Sequence, residues 1–216
     1  MSRYSAVIFD LDGTLLNTLD DLADAANYAL ARMGWPRRTT DEVRRFVGNG
    51  VRLLIRRAAP PGSSEADQAR CLAIFKERYA AHMEDKTAPY PGIPELLLAL
   101  RDLGCRTAVV SNKFDAAVKG LCARYFGDLV DAAAGESEQA PKKPDPAMVL
   151  LALEKLGIPA PSAVYVGDSD VDIQTARNAG MDCVSVTWGF RDRGFLTEHG
   201  AAVFADTPEE LLTLLS

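Results

Sequence analysis

A short apolar run that breaks off in acid constrains this chain more than any other feature. Tyr4 to Phe9 leads directly into Asp10-Leu11-Asp12-Gly13, and similar runs recur at Thr107 to Val110, Leu129 to Ala133, Ala163 to Val166 and Cys183 to Val186. Apolar runs this short, bounded by turn-forming residues, read as buried strands. Between the later ones lie helical patterns: Ile93, Leu96, Leu97, Leu100 and Leu103, then Met148, Leu151 and the leucines up to Leu156, where Gly157 and Pro159 stop the helix. Strands that alternate with helices pair in parallel and are covered on both faces. The expected fold is therefore α/β, a doubly wound parallel sheet of Rossmann-like form.

One connection breaks the rhythm. Roughly 95 residues separate the first strand from the second, where a crossover needs only about 10 to 12. Thr18-Leu19-Asp20-Asp21 has the form of a helix start with an acid at the third position, and Leu22, Ala26, Ala29, Leu30 and Met33 follow at helical spacing. Further helices are expected around Val43, Phe46 and Val47, around Val51, Leu54, Ile55 and Ala58, and around Leu72, Phe75, Tyr79 and Met83. The insert, residues 18–88, should be a small helical domain, with residues 1–17 and 89–216 forming the α/β core. Charge divides the same way: residues 18–88 carry 12 Lys/Arg against 10 Asp/Glu, and the rest of the chain 12 against 20. Asn17-Thr18 and the proline-rich run Pro89 to Pro94 are the expected hinges.

The composition is that of a packed globular chain, 48% hydrophobic and 25% charged. A net charge of -6 argues against nucleic acid as a partner, since that affinity comes from a basic surface. No run is long enough for a membrane span or a signal-peptide core, so a cytoplasmic protein without a membrane partner is expected, a monomer or weak homodimer. Cys71, Cys105, Cys122 and Cys183 are widely spaced and read as reduced, packed thiols.

Ligands of doubly wound sheets collect at the carboxyl ends of the strands, and the polar clusters lie there. The first strand ends in Asp10 and Asp12, the second in Ser111-Asn112, and the fourth in Gly167-Asp168-Ser169-Asp170-Val171-Asp172. Pro141-Lys142-Lys143-Pro144 offers a lysine just before a helix. Two like charges ~4 Å apart at an effective dielectric of 20 repel by about 4 kcal/mol, so converging carboxylates call for a cation. The available ligands are oxygens, which favours Mg2+ over zinc. With a cation present, Asp10 could attack a phosphate ester and form an aspartyl-phosphate, while Asp12 protonates the leaving oxygen and later deprotonates water. Ser111 and Lys143 could hold the phosphate oxygens.

Phe-Asp-Leu-Asp-Gly-Thr-Leu, Val-Ser-Asn, Lys-Pro-Asp-Pro and Val-Gly-Asp-Ser-x-x-Asp, in that order, resemble the four motifs of the haloacid dehalogenase-like superfamily, over essentially the whole chain. The resemblance implies a phosphatase with Asp10 as nucleophile, Asp12 as acid and base, Ser111 and Lys143 on the phosphate, and Asn112 supporting the phosphate loop. It implies Mg2+ held by Asp10, the backbone carbonyl of Asp12 and Asp168, with Asp172 as either a direct or an outer ligand. Lys143 rather than Lys142 precedes the proline as the motif requires. Dehalogenases lack the second aspartate, so Asp12 favours phosphate transfer.

Asn17 to Leu22, Val47-Gly48-Asn49-Gly50-Val51, Tyr90-Pro91-Gly92 and Thr187-Trp188-Gly189-Phe190 are most similar to the phosphoglycolate phosphatases of that superfamily. A small phosphorylated metabolite bearing a carboxylate would need a cation from the helical cap, for which Arg45 and Arg52, flanking the glycine-rich turn, are candidates. Pyrophosphatases and sugar phosphomutases share this organisation and stand as alternatives. Receiver-type signalling proteins, which also accept phosphate on aspartate, lack an inserted bundle of this size.

Several other residues read as structural. Asp170 suits a helix start, and Asp168-x-Asp170-x-Asp172 is no calcium loop because Ile173 and Ala179 stand where glycine and glutamate are needed. His82 and His199 lack ligand spacing, and the remaining cap arginines, Arg44, Arg56 and Arg57, suit a solvated helix face.

Overall fold

A computed structural model describes residues 3–137 and 140–216. The chain divides into two compact units: Pro89–Ser216 together with the chain up to Leu16, and Asn17–Ala88.

In chain order, β1 (Ala6–Phe9) and β2 (Leu16–Asn17) precede α1 (Leu19–Arg32), α2 (Thr40–Phe46), α3 (Val51–Ala58) and α4 (Glu65–His82). After β3 (Ala88–Pro89) come α5 (Ile93–Asp102), β4 (Arg106–Phe114), α6 (Asp115–Tyr125), β5 (Ala132–Glu136) and α7 (Ala147–Leu156). The remainder is β6 (Ala163–Gly167), α8 (Asp170–Ala179), β7 (Asp182–Val186), α9 (Arg193–Glu198), β8 (Phe204–Ala205) and α10 (Pro208–Leu215).

The larger unit is built on a six-stranded sheet in the order β5-β4-β1-β6-β7-β8, parallel throughout. From β1 the chain winds outward to β4 and β5, then crosses back to β6, β7 and β8. The order therefore reverses at β1, and the crevice of such a sheet opens beyond the carboxyl ends of β1, β4 and β6. Side-chain alternation fills both faces. Val7 and Phe9 pack with Val109, Val164 and Val166 under α5, α6 and α10, while Ala6 and Ile8 pack with Ala108, Val110 and Tyr165 under α7 and α8.

The third predicted strand, at Leu129 to Ala133, lies further on, because Gly127–Leu129 makes a 3-10 turn and pairing begins at Ala132. β8 and α10 carry no run that the sequence reading singled out.

In the smaller unit the helix after Thr18 forms, but Thr18 does not cap it. Its hydroxyl is buried and, among the described residues, unpartnered, and the first-turn acid Asp21 serves elsewhere. Asp21 accepts from the backbone N–H groups of Lys86 and Thr87 and from the Thr87 hydroxyl, at 2.8 to 3.0 Å, tying the start of α1 to the end of the unit. Thr39 and Glu42 make a reciprocal capping box at the start of α2. Arg45, in the last turn of α2, and Arg52, in the first turn of α3, are both exposed on either side of Gly48-Asn49-Gly50.

Candidate active site

The site is assembled within the larger unit from four strand ends. β1 delivers Asp10 immediately after its last paired residue, Phe9, with the Asp10 N–H donating to the carbonyl of Val166 at 2.9 Å. The chain then turns back on itself: the Leu11 carbonyl accepts from Thr14, Leu15 and Leu16, and Gly13 donates to Leu16 at 2.9 Å. Gly13 has φ +88°, and a Cβ there would lie 2.3 Å from Asp168 Oδ2. Both the backbone and the space exclude a side chain. The indole N–H of Trp188 closes the turn from outside by donating to the Thr14 carbonyl at 3.0 Å.

Asp10, Asp168 and Asp172 converge, each offering a carboxylate oxygen within 4.8 Å of the others. All three are buried. Lys143, brought in by the loop before α7, pairs with Asp10 Oδ1 at 2.8 Å and Asp172 Oδ1 at 2.7 Å, and donates to the Tyr165 hydroxyl at 3.0 Å. Tyr165 in turn donates to Asp172 Oδ1 at 3.1 Å. The other oxygen of Asp172 accepts from the Ser169 N–H at 3.1 Å and its hydroxyl at 2.6 Å. Asp172 thus has both oxygens engaged by the protein, whereas Asp168 Oδ2 accepts from the Phe190 N–H at 2.6 Å. Asp10 Oδ1 also accepts from the Leu11 N–H at 2.7 Å.

The electrostatics follow from crowding. Burial, then the neighbouring Asp172, pushes the Asp168 carboxyl up to about 7, against the pull of the Phe190 N–H and Arg191. Burial and Asp172 likewise raise the Asp10 carboxyl well above its ordinary range, although Lys143 opposes them. Burial alone would discharge Lys143, but Asp10 and Asp172 outweigh it and hold the ammonium protonated. One ammonium cannot balance three buried carboxylates, and the donors are all oxygen. The residues therefore fit a hard divalent cation such as Mg2+.

The end of β4 supplies the other half. Alternation turns Ser111 and Lys113 to one side and Asn112 to the other. Asn112 is spent on Lys143: its Oδ1 accepts from the Lys143 N–H at 2.7 Å and its Nδ2 donates to the Lys143 carbonyl at 3.1 Å. Ser111 donates to Asp12 Oδ2 at 3.5 Å, and Lys113 contacts both oxygens of Asp12, at 2.8 and 3.2 Å. The side chain of Asp12 is therefore held by β4, apart from the converging group of Asp10, Asp168 and Asp172. Arg45 and Arg52 belong to the smaller unit. Lys113 and Tyr165 are the contacting residues that sequence reasoning missed. Lys113 directly follows the quoted Val-Ser-Asn and has the period-two spacing from Ser111 that could have flagged it.

Known proteins bear on this geometry. The chain matches the sequence profile described as haloacid dehalogenase-like hydrolase over residues 7–186. It is 36% identical over 208 residues to a phosphoglycolate phosphatase of Pseudomonas putida, covering 94% of this chain and 74% of that protein. A crystal structure from Lactobacillus delbrueckii subsp. bulgaricus superposes with a TM-score of 0.95 at 38% identity, over 99% of each chain. CbbY from Rhodobacter sphaeroides, solved in complex with phosphate, superposes with a TM-score of 0.75 at 29% identity over 96% of each chain. Two aspartates on one turn after β1, a lysine beside them and an acidic loop after β6 thus stand in a fold and sequence shared with these enzymes, and the chain belongs to the haloacid dehalogenase-like hydrolases as a phosphatase.

Proposed function

We propose that this phosphatase hydrolyses a small phosphomonoester, with phosphoglycolate its preferred substrate, through a phosphoryl group carried on Asp10. The observation that carries the reading is the different setting of two carboxylates on one turn. Asp10 sits among Asp168, Asp172 and Lys143, while Asp12 is held two residues on by Lys113 and Ser111. Asp168 and Asp10 would hold Mg2+ together with the Asp12 carbonyl, and Asp172, with both oxygens engaged, would orient Lys143 and the loop after β6. Bound Mg2+ supplies positive charge to the phosphoryl oxygens and lets a dianionic ester approach a carboxylate.

In the first step a carboxylate oxygen of Asp10 forms a bond to phosphorus as the ester P–O bond breaks. Asp12 gives its proton to the departing alkoxide, which leaves as the alcohol. Lys143 and the Ser111 hydroxyl take up charge on the transferring group. In the second step Asp12 takes a proton from water, whose oxygen attacks phosphorus, releasing phosphate and restoring the Asp10 carboxylate. Both steps balance with Asp12 returned to its starting form.

Asp10→Asn should abolish turnover and phosphoenzyme formation while leaving the circular dichroism spectrum unchanged; retained phosphate release would overturn the assignment. Substrate choice is tested by comparing kcat/KM with Mg2+ across phosphoglycolate, sugar phosphates, nucleotides and pyrophosphate. The resemblance to phosphoglycolate phosphatases supports a peak at phosphoglycolate, and Arg45→Ala or Arg52→Ala should raise KM for that carboxylated substrate more than for an aryl phosphate that lacks a carboxylate. A flat profile would sink the substrate assignment and leave the chemistry standing.

A further inference from the structure

Lys113 is a lysine with only 4% of its side chain exposed, and its ammonium lies 2.8 and 3.2 Å from the two oxygens of Asp12, whose own side chain is 15% exposed. Its backbone N–H donates to the Ser111 hydroxyl at 3.2 Å, and that hydroxyl donates to Asp12 Oδ2 at 3.5 Å. Asp12 is thus gripped from one strand end by two side chains that alternation puts on the same side. The grip depends on how β4 finishes. The register with β5 shifts between Ser111 and Phe114, and Gly135 of β5 passes so close that a Cβ there would lie 2.5 Å from the Lys113 carbonyl.

Stability is a poor explanation for such a pair. Replacing a buried ion pair by apolar residues of similar volume is often neutral or stabilising, because desolvation of the two charges offsets their attraction. What an ion pair supplies that apolar packing does not is a fixed place for a carboxylate.

We propose that Lys113 is the positioning residue for Asp12, holding its carboxyl group where the proton it takes up from water in the second step can be handed to the leaving oxygen of the next substrate. The inference rests on the reading of Asp12 as acid and base given above. Lys113 itself exchanges no proton and forms no bond to substrate. The proton passes from Asp12 to the ester oxygen as the P–O bond to that oxygen breaks and the bond to Asp10 forms.

A group acting through the acid affects only substrates that need one. An alkyl phosphate such as phosphoglycolate expels a strongly basic alkoxide, whereas 2,4-dinitrophenyl phosphate expels a stable phenolate. The readout is kcat/KM, which reports steps only as far as leaving-group departure. Asp12→Asn should lower it by about 100- to 10,000-fold on the alkyl ester and far less on the dinitrophenyl ester. Lys113→Met should follow the same pattern, at least about tenfold more severe on the alkyl ester, with partial recovery in Lys113→Arg. The double variant should be no worse than Asp12→Asn alone, as residues acting as a unit behave.

Equal losses on both esters in Lys113→Met, or additive losses in the double variant, would overturn the proposal while leaving Asp12 as the acid. Equal losses in Asp12→Asn would overturn the acid reading and the Lys113 proposal with it. If Lys113→Met fails to fold with its unpaired carboxylate, Lys113→Gln, neutral but still able to donate, is read by the same ratio.

Discussion

At the scale of single residues, the site is defined as much by what is missing as by what is present. Gly13 has the left-handed φ of +88° and abuts Asp168, so Gly13→Ala both strains the turn and displaces a carboxylate by steric contact. Activity should fall by at least about 100-fold, with Mg2+ affinity lost alongside it, as calorimetric titration with the metal would show. Asp168 gives the pH dependence. Its carboxyl, raised to about 7, keeps in the fold a proton that the unfolded chain loses near its ordinary value of 3.8. Its contribution to stability is thus fully present below the unfolded value and is lost as pH rises through about 7. A cation binds the ionised form, so proton loss from Asp168 should raise apparent Mg2+ affinity by up to about tenfold per unit between roughly pH 5 and 7. Proton release on titration below pH 7, measured in buffers of different ionisation enthalpy, checks it; affinity independent of pH would exclude Asp168 as the competing group.

At the scale of elements, the decisive connection is between the end of β4 and the loop that carries Lys143. Asn112 binds both the N–H and the carbonyl of Lys143, the service a neighbouring strand would otherwise perform. Asn112→Ala leaves two buried backbone groups without that partner, at a cost of about 1–3 kcal/mol each where water does not reach them. The melting temperature should fall and kcat should drop through a displaced Lys143; an unchanged kcat would mean that the loop holds its lysine without help. Much at this scale was legible in the sequence. The helices at Ile93–Asp102 and Ala147–Leu156 follow their leucine spacing, and Gly157 ends the second in the left-handed conformation expected of it. The strand Ala132–Glu136 was misplaced because its residues, Ala-Ala-Ala-Gly-Glu, have little side chain to mark a buried strand, while Leu129 just before it does. Thr18 marks the start of its helix as the run implies, but no side-chain cap forms there, and the first-turn acid Asp21 accepts instead from Lys86 and Thr87, 65 and 66 residues away.

At the scale of the whole molecule, three carboxylates converge at the switch point of the sheet, and a cation held by them would be part of the energetics. A ligand that binds only the native state stabilises it by RT ln(1 + [L]/Kd), about 2.7 kcal/mol at a hundred times Kd. Saturating Mg2+ should therefore raise the melting temperature by several degrees at about pH 8, where the metal-free carboxylates repel most, and by less at about pH 5. Differential scanning calorimetry at the two pH values checks it; equal shifts would mean that the acidic cluster is not the site of binding. The sequence by itself determined the class of sheet, the inserted helical segment and the motifs at its strand ends, because each is written locally, in the period of apolar residues and in runs of a few consecutive side chains. Only the tertiary structure decided which charges meet. Lys113 and Asp12 are separated by 101 residues and Lys143 and Tyr165 by 22, and strands distant in the chain become neighbours only when the sheet is ordered β4-β1-β6. A buried lysine or tyrosine is unremarkable as a letter. It acquires a role when burial removes water and leaves a carboxylate as its partner.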